Sequence, residues 1–370
     1  MQNNNPTSYI YYGTHAKASE VKAFLLHVLA NNREQEQSGL PKTPICIWGK
    51  HGVGKTALVQ ALAQEQGWQF AYIAPAQFEE MGDLLGMPTI ENGKTVFKTP
   101  AWVPTQTGPG ILLIDDVNRA DDRILRGIMQ LLQRYQLVSW QLPPQWDIVL
   151  TANPDGGDYS VTPMDDALLT RMMHVTLDFD LKEWAKWAEN HQIDPRGIEF
   201  VLAYPELITG GRTTPRSLVQ FFESIKNIPD LASEFVLVRM LADACLDLAT
   251  SAAFLSFVQQ DLKKLVAPEI ILHTTDFNRE VKLPLERIVK QQNLRVDLLA
   301  VIVTRLLIYL QQHQDAIQKH QMNNLKNFLQ LDFLPGDLRM GFVRDLMDSA
   351  IFKSMAADPL IANLLVDMMG

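Results

Sequence analysis

The sequence predicts an α/β fold in which a mainly parallel sheet lies between two layers of helices, followed by an almost entirely helical remainder. Up to about residue 180, short apolar runs bounded by turn residues alternate with amphipathic helices, which is typical of parallel strands buried on both faces. Beyond that point the strand signals nearly vanish. The predicted strands are residues 44–48, 69–74, 111–114, 146–151 and 174–179.

The predicted helices carry their apolar residues on one face. Val21, Leu25 and Leu29 recur at helical spacing in the opening helix, and a helix from Asp121 has a continuous apolar stripe. Domains average about 150 residues, so a chain of 370 residues suggests two or three of them. The expected domains are an α/β domain over 1–180, a helical lid over 181–229 and a mainly helical region over 230–370.

The composition is that of an ordinary globular protein, with 47% hydrophobic and 20% charged residues. Two cysteines, Cys46 and Cys245, are too few for a disulfide framework and lack the clustered spacing of a zinc site. Lys and Arg number 33 against 42 Asp and Glu, so the net charge is −9. A negative protein has no overall attraction for nucleic acid, which is therefore not an expected partner.

No targeting segment is predicted. The amino terminus, MQNNNPTSYIYYG, lacks the basic flank and apolar run of a signal peptide. The longest apolar stretch, residues 298–310, is interrupted by Arg305 and is shorter than the ~20 residues that cross a bilayer. We therefore expect a buried helix there, no membrane insertion and a reducing, cytoplasmic compartment.

A phosphate-binding loop is predicted where residues 49–56 read GKHGVGKT, between an apolar strand and a helix. Its glycines allow the backbone to curl so that successive N–H groups face phosphates, and the following helix adds its positive end. The expected nucleotide-binding residues are Gly49, Lys50, His51, Gly52, Val53, Gly54, Lys55, Thr56 and Ala57. A glycine-rich turn with a surface lysine is the alternative interpretation.

Two residues of this loop have specific expected roles. Lys55 would contact the β and γ phosphates of ATP, and the Thr56 hydroxyl would bind Mg²⁺. His51 occupies a position where the motif accepts many residues, and we expect it to be a spectator. The motif makes the predicted fold a P-loop NTPase with a three-layer αβα core.

Two carboxylates follow the apolar run at residues 111–114. A carboxylate at the end of a buried strand beside the phosphate loop can hold the metal through its water shell, and its neighbour can orient the attacking water. We assign Asp115 to the metal and Asp116 to the base. An acidic turn or a helix cap is the alternative interpretation of the pair.

Taken together, the motifs resemble those of AAA+ ATPases, and in particular of the MoxR-like (dynein-related, AAA_5) group in the helix-2-insert branch. The resemblance covers about residues 15–228. LLIDDVNRA at 112–120 looks like the Walker B motif of the group with its trailing Asn-Arg-Ala. The other matching segments are TANPDGG at 151–157, DDALLTRM at 165–172 and TTPRSL at 213–218, which resemble sensor 1, the arginine-finger segment and sensor 2.

This resemblance implies three further catalytic residues: Asn153 on the γ phosphate and water, Arg171 acting on a neighbouring subunit, and Arg216 acting from its own lid. Guanidinium is permanently charged and its fork matches phosphate, which independently suits both arginines. Each has an ordinary alternative: a turn former at Asn153, a surface or ion-paired arginine at Arg171, and a helix start at Arg216. The group usually has Glu where Asp116 stands, so either turnover is slow or the shorter base needs subunit closure.

Two insertions fit the helix-2-insert branch. Residues 86–100 contain Asn92-Gly93, the strongest short signal for a β-hairpin, and residues 137–146 suggest a second hairpin or a loop. The resemblance implies that such insertions project and contact a substrate or partner; ordinary loops are the alternative. Phe97, Trp102 and Trp140 could equally belong to the core.

The leading functional hypothesis is a homo-oligomeric, most plausibly hexameric, ring that uses Mg²⁺ and ATP to remodel or mature a protein client. Resemblance to the MoxR-like group alone implies a partner with a von Willebrand factor A domain. A nucleic-acid motor or loader is one alternative, disfavoured by the charge. A nucleotide-gated scaffold, in which Asp116 is too short for fast hydrolysis, is the other.

Overall fold

The computed structural model describes residues 9–155, 161–208, 211–259, 266–289 and 318–346, together with 299–300, 302–303, 306–307 and 309–310. The chain divides into two compact units, Met1–Lys186 and Trp187–Gly370. The predicted three-part division, with boundaries at residues 180 and 229, stays a prediction.

The first unit contains both the strands and the first helices. Its strands are β1 (Thr14–Ala16), β2 (Ile45–Trp48), β3 (Gln69–Ile73), β4 (Met87–Glu91), β5 (Lys94–Lys98), β6 (Gly110–Ile114), β7 (Trp146–Ala152) and β8 (Met173–Leu177). Its helices are α1 (Ala18–Gln37), α2 (Lys55–Glu65), α3 (Met81–Leu85), α4 (Asp122–Arg134), α5 (Asp166–Leu169) and α6 (Leu181–Asn190), within which the two units divide.

Six strands form one parallel sheet in the order β1-β8-β2-β7-β6-β3. The α/β fold prediction is confirmed, since every predicted strand is present with bounds close to those expected. The loop after β2 opens at a topological switch point, because the chain leaves β2 towards β3 on one side of it, whereas it leaves β7 towards β8 on the other side of β2. In open α/β sheets, ligands bind at such a point, outside the carboxyl ends of the strands.

Both faces of the sheet are buried, as the continuous apolar strands predict. Along β2, Ile45 and Ile47 pack with residues of α1 and α2, whereas Cys46 and Trp48 pack with residues of α4. Successive side chains of a strand point to opposite faces, so a strand covered on both sides must be apolar throughout. The edge strand β1 was not predicted, because its three residues are exposed or half-buried and two of them are polar.

The first insertion forms the predicted hairpin. Strands β4 and β5 pair antiparallel with each other and lie outside the main sheet. Asn92 and Gly93 both have positive φ, 52° and 72°, the backbone that a tight two-residue hairpin turn requires. Ile90 near the tip is 82% exposed.

The second insertion, predicted as a hairpin or a loop, contains a short antiparallel turn. Gln136 and Gln141 form an isolated antiparallel bridge, and the Leu137 amide donates to the Trp140 carbonyl at 2.8 Å. Trp140 is buried, and its indole N–H donates to the Leu84 carbonyl at 3.0 Å. The core-packing interpretation is therefore correct for Trp140, while Phe97 and Trp102 are partly buried.

The described part of the second unit is helical. Its helices are α7 (Pro195–Ala203), α8 (Pro215–Ile225), α9 (Phe235–Cys245), α10 (Leu248–Val258), α11 (Pro268–His273), a π-helical segment (Asn278–Lys282), α12 (Leu283–Val289), α13 (Lys319–Leu329) and α14 (Gly336–Leu346). Ile302, Leu306 and Leu310, from the apolar stretch at 298–310 that lies partly outside the described residues, are buried. Among the residues described, no helix combines the length and apolar character that crossing a membrane requires.

One buried carboxylate, Asp147 at the start of β7, lies at the sheet edge opposite the phosphate loop. Its Oδ1 accepts from the Asn32 side chain at 2.9 Å, and its Oδ2 has no hydrogen-bond partner among the described residues. Burial raises the pKa of Asp147 to about 6, although Asn32 and Lys42 oppose the shift. The folded chain therefore holds a proton on this group at pH values where the unfolded chain has released it.

We predict that Asp147→Asn stabilises the first unit at neutral pH by about 2 kcal/mol relative to wild type. The folded pKa lies above the unfolded one, so the wild type loses stability as pH rises from about 4 to about 6. Asparagine does not titrate, so the difference should grow across that window. Urea unfolding followed by tryptophan fluorescence measures it; a constant difference, or the same trend for the exposed Asp122→Asn control, would refute the prediction.

Candidate functional site

The phosphate loop joins β2 to α2 in the strand–loop–helix context that the motif requires. Gly54 has φ of 105° and caps the amino terminus of α2, a backbone that L side chains rarely adopt. At Gly49 a Cβ atom would lie 2.8 Å from the Leu177 carbonyl oxygen. Both glycines are therefore required by the local geometry, and the amino end of α2 faces the space enclosed by the loop.

Lys55 is the buried cation of this loop, with 5% of its surface exposed. Its Nζ donates to the carbonyl oxygens of Gly49 at 2.7 Å and Lys50 at 3.2 Å, and to Asn153 Oδ1 at 3.2 Å. A buried ammonium group needs acceptors because desolvation without them is costly. Phosphate oxygens are acceptors of the same kind, so Lys55 is placed to bind them, and it is not a surface lysine.

Thr56 and Asp115 meet at the carboxyl end of β6. The Thr56 hydroxyl donates to Asp115 Oδ1 at 2.7 Å. A hydroxyl that donates its hydrogen to a carboxylate keeps its oxygen lone pairs for a cation, and Mg²⁺ prefers oxygen ligands. The donor set therefore fits a magnesium ion that arrives with a nucleotide.

Asp116 adopts a left-handed backbone, with φ of 48° and ψ of 45°. Its Oδ1 accepts from Asn153 Nδ2 at 3.0 Å, and its Oδ2 lies 3.3 Å from Arg119 Nε. Asn153 thereby bridges the buried cation and the proposed base, since its Oδ1 accepts from Lys55. In this arrangement both oxygens of the Asp116 carboxylate are already occupied.

Asn118 holds Asn153 in place, a role that sequence reasoning missed. Its side chain is fully buried, and its Nδ2 donates to the Asn153 carbonyl at 2.8 Å while its Oδ1 accepts from the Asn153 amide at 3.1 Å. This pair of bonds ties the turn after β6 to the loop after β7. In the sequence, the only signal for this role was that a polar residue begins the Asn-Arg-Ala segment at 118–120.

Arg171 follows α5, and the structure gives it partners outside the phosphate loop. Its guanidinium donates to the Ala167 carbonyl, and Gln133 on α4, with its amide oxygen turned towards it, accepts from Nε at 3.2 Å and Nη2 at 3.0 Å. These contacts do not bring Arg171 to Lys55 or Asn153 of its own chain. Its catalytic role stays a prediction.

Arg216 lies in the first turn of α8 in the second unit, where it is exposed. The helix is well capped, because the Thr214 hydroxyl accepts from the Ser217 amide at 3.2 Å. A cation in the first turn opposes the helix dipole, so helix stability does not explain an arginine at this position. Its role as a lid residue on the phosphate also stays a prediction.

Lys50 and His51 also belong to the predicted phosphate loop, and their role in nucleotide binding stays a prediction. Lys50 is exposed with its ammonium 5.9 Å from the centre of the Tyr9 ring, and His51 is half-buried. Of the predicted catalytic and metal residues, the structure brings together Lys55, Thr56, Asp115, Asp116 and Asn153.

Comparison with known proteins agrees with this geometry. Residues 44–172 match the family described as AAA domain (dynein-related subfamily). Over 144 residues the chain is 29% identical to midasin from Giardia intestinalis, in an alignment that covers 36% of this chain and 3% of midasin. The chain thus corresponds to a very small part of that relative.

Solved structures with a similar fold have low sequence identity. The RuvB Holliday junction branch migration motor of Thermotoga maritima is 16% identical with a TM-score of 0.40, over 83% of this chain and 94% of that chain. Hsp104 with ATPγS and FITC casein is 15% identical with a TM-score of 0.39, over 58% of this chain and 46% of that chain. Similarity at these values supports no functional conclusion.

The family match spans the phosphate loop, the paired carboxylates after β6, Asn153 and Arg171. It stops before the second unit begins. Residues 44–172 of this chain are therefore similar to the AAA domain of the dynein-related subfamily.

Proposed function

We propose that this chain is a Mg²⁺-dependent ATPase of the AAA+ class that hydrolyses ATP at the interfaces of a homo-oligomeric ring. The observation that carries the proposal is the buried Lys55 ammonium, held by two loop carbonyls and Asn153 beside the Thr56–Asp115 pair. This arrangement supports a phosphate site joined to a magnesium site.

Each residue has a defined part in the proposed reaction. Lys55 exchanges its carbonyl and amide acceptors for phosphate oxygens, and the amides of the glycine loop bind the same phosphates. Thr56 and Asp115 hold the metal, which neutralises phosphate charge when bound. Asn153 keeps the Asp116 carboxylate beside Lys55, where Asp116 accepts a proton from the attacking water.

The ring supplies the second cation. The developing charge on the γ phosphoryl group needs stabilisation that a guanidinium provides well. Arg171 contacts Ala167 and Gln133 in its own chain, and we assign it to the phosphate bound by a neighbouring copy. We assign Arg216, on the lid, to the phosphate bound by its own chain. A hexameric ring of MoxR type, which remodels a client with a von Willebrand factor A domain, is the finer form of this proposal.

A second candidate function is a nucleotide-gated scaffold with weak hydrolysis. The observation in its favour is the occupied Asp116 carboxylate, bonded to Asn153 and ion-paired with Arg119. Hydrolysis is slow if the catalytic base must first leave two hydrogen-bonding or ion-pair partners. The nucleic-acid motor remains the least favoured alternative, since the net charge is −9.

We predict that Lys55→Ala weakens ATP binding by about a hundredfold, because it removes a charge-assisted contact to phosphate worth about 3 kcal/mol. Lys182→Ala, which removes an exposed lysine of α6, is the matched control. Calorimetric titration with ATPγS and Mg²⁺ measures both. Equal affinities for the two variants would contradict the phosphate role of Lys55.

We predict that Arg171→Ala lowers the ATPase rate by about a thousandfold while ATP binding is retained. Mixing it with Asp116→Asn should restore several-fold more activity than either variant has alone, because hybrid interfaces contain one complete site. Steady-state ATPase assays of the mixed and separate variants measure this effect.

The same mixing experiment separates the two arginines. A mixture of the Arg216→Ala and Asp116→Asn chains should recover no ATPase activity, because each chain then carries a defect in its own pocket. The exposed Arg123→Ala on α4 should retain wild-type activity. Recovered ATPase activity in the mixture with Arg216→Ala would contradict the role of Arg216 in its own pocket. No recovered activity in the mixture with Arg171→Ala would contradict the role of Arg171 at a neighbouring pocket.

We predict that Asp116→Glu raises the single-turnover hydrolysis rate by about tenfold, since the longer side chain brings the carboxylate closer to the attacking water. Asp122→Glu, an exposed change on α4, should leave the rate unaltered. Quenched single-turnover assays at saturating ATP compare the variants. An unchanged or lower rate for Asp116→Glu, with binding intact, would show that acid length does not limit turnover.

A further inference from the structure

Asp115 accepts hydrogen bonds from three hydroxyl groups on three different elements. Besides Thr56 on α2, the Thr151 hydroxyl on β7 donates to Oδ1 at 2.6 Å, and the Tyr72 hydroxyl on β3 donates to Oδ2 at 3.1 Å. Sequence reasoning assigned only Thr56 and Asp115 to the metal. Neither Tyr72 nor Thr151 had a role.

The Thr151 hydroxyl also contacts the backbone of the next acid. It accepts from the Asp116 amide at 2.8 Å while it donates to Asp115, and the side chain is fully buried. One hydroxyl therefore links the metal carboxylate to the left-handed turn that carries the proposed base. β7 lies beside β6, which places this hydroxyl directly next to both acids.

Tyr72 holds the other carboxylate oxygen from the opposite side. It lies one residue before the end of β3, which neighbours β6, and the Asp115 amide donates to the following Ile73 carbonyl at 2.8 Å. Its side chain is not explained by core packing, because Tyr72 is 46% exposed. The hydroxyl and the backbone bond together fix Asp115 against β3.

These bonds matter because a free carboxylate rotates easily about its terminal torsion. Thr151 and Tyr72 each hold one oxygen, so the carboxylate plane is fixed with Oδ1 directed at Thr56. Partners of this kind orient metal ligands, and losing one typically weakens metal affinity by about 10–100-fold.

We propose that Tyr72 and Thr151 are positioning residues that set the Mg²⁺ affinity of the site through the Asp115 carboxylate. The inference rests on the proposed function, because the metal reaches the site with ATP. Neither residue touches the nucleotide in this scheme, so metal-free nucleotide binding should not depend on them.

The test is the Mg²⁺ dependence of ATPγS binding, measured by calorimetry on the 370-residue chain. In Tyr72→Phe, the Mg²⁺ concentration that gives half of the maximal enhancement of ATPγS binding should be about tenfold higher than in the wild type. Thr151→Val should raise this concentration at least as much. Both variants should bind ATPγS in EDTA as the wild type does. Thr151→Ser keeps the hydroxyl and should restore the wild-type midpoint.

Tyr135→Phe is the matched control, because it removes a buried tyrosine hydroxyl that is not one of the three hydroxyls bonded to Asp115. Its Mg²⁺ midpoint should equal that of the wild type. Should Thr151→Val fail to fold by circular dichroism, Tyr72→Phe decides the matter, since its ring is half-exposed and the change removes one oxygen.

The outcomes separate the two proposals. If the wild type shows Mg²⁺-dependent binding and Tyr72→Phe leaves the midpoint unchanged, the positioning role is overturned and the proposed function stands. If the wild type binds no ATPγS at any Mg²⁺ concentration, the proposed function itself fails. A loss of binding in EDTA would assign Tyr72 to the nucleotide rather than to the metal carboxylate, and would also overturn the inference.

Discussion

The buried ammonium group of Lys55 is the constraint on which the rest of the site depends. A charge removed from water must be compensated, and here two loop carbonyls and the Asn153 side chain compensate it. One of these carbonyls belongs to Gly49, whose φ is 154° and where a Cβ atom would lie 2.8 Å from the Leu177 carbonyl oxygen, so the loop requires glycine at this position. The third acceptor requires that β7 end beside β2, which the strand order provides.

Because the strands are parallel and adjacent, their carboxyl ends bring together groups that are far apart in the sequence. β6 delivers Asp115 and Asp116, and β7 delivers Asn153. Asn118 then fixes the loop after β7 by bonding both polar groups of the Asn153 backbone. The pocket thus holds its acids in place before a nucleotide enters, which lowers the ordering cost of binding. The same preorganisation leaves Asp116 engaged with Asn153 and Arg119.

Features with a local signal could be predicted from the sequence. Apart from β1, the strands of the main sheet have short apolar runs, the hairpin turn has Asn92-Gly93, and the loop has its glycine spacing. Features set by neighbours in space could not. Asp147 is an acidic residue in a mainly apolar strand, and the contact with Asn32 on α1 that accompanies its burial joins residues far apart in the sequence. Tyr72 is spatially close to Asp115 only because β3 neighbours β6.

The most direct test of the phosphate site is calorimetric titration of the 370-residue chain with ATPγS in the presence of Mg²⁺. We predict saturable binding of one nucleotide per chain, because each chain carries Lys55, the glycine loop and the Thr56–Asp115 pair. Titration without a measurable heat of association, on protein shown by circular dichroism to be folded, would contradict it.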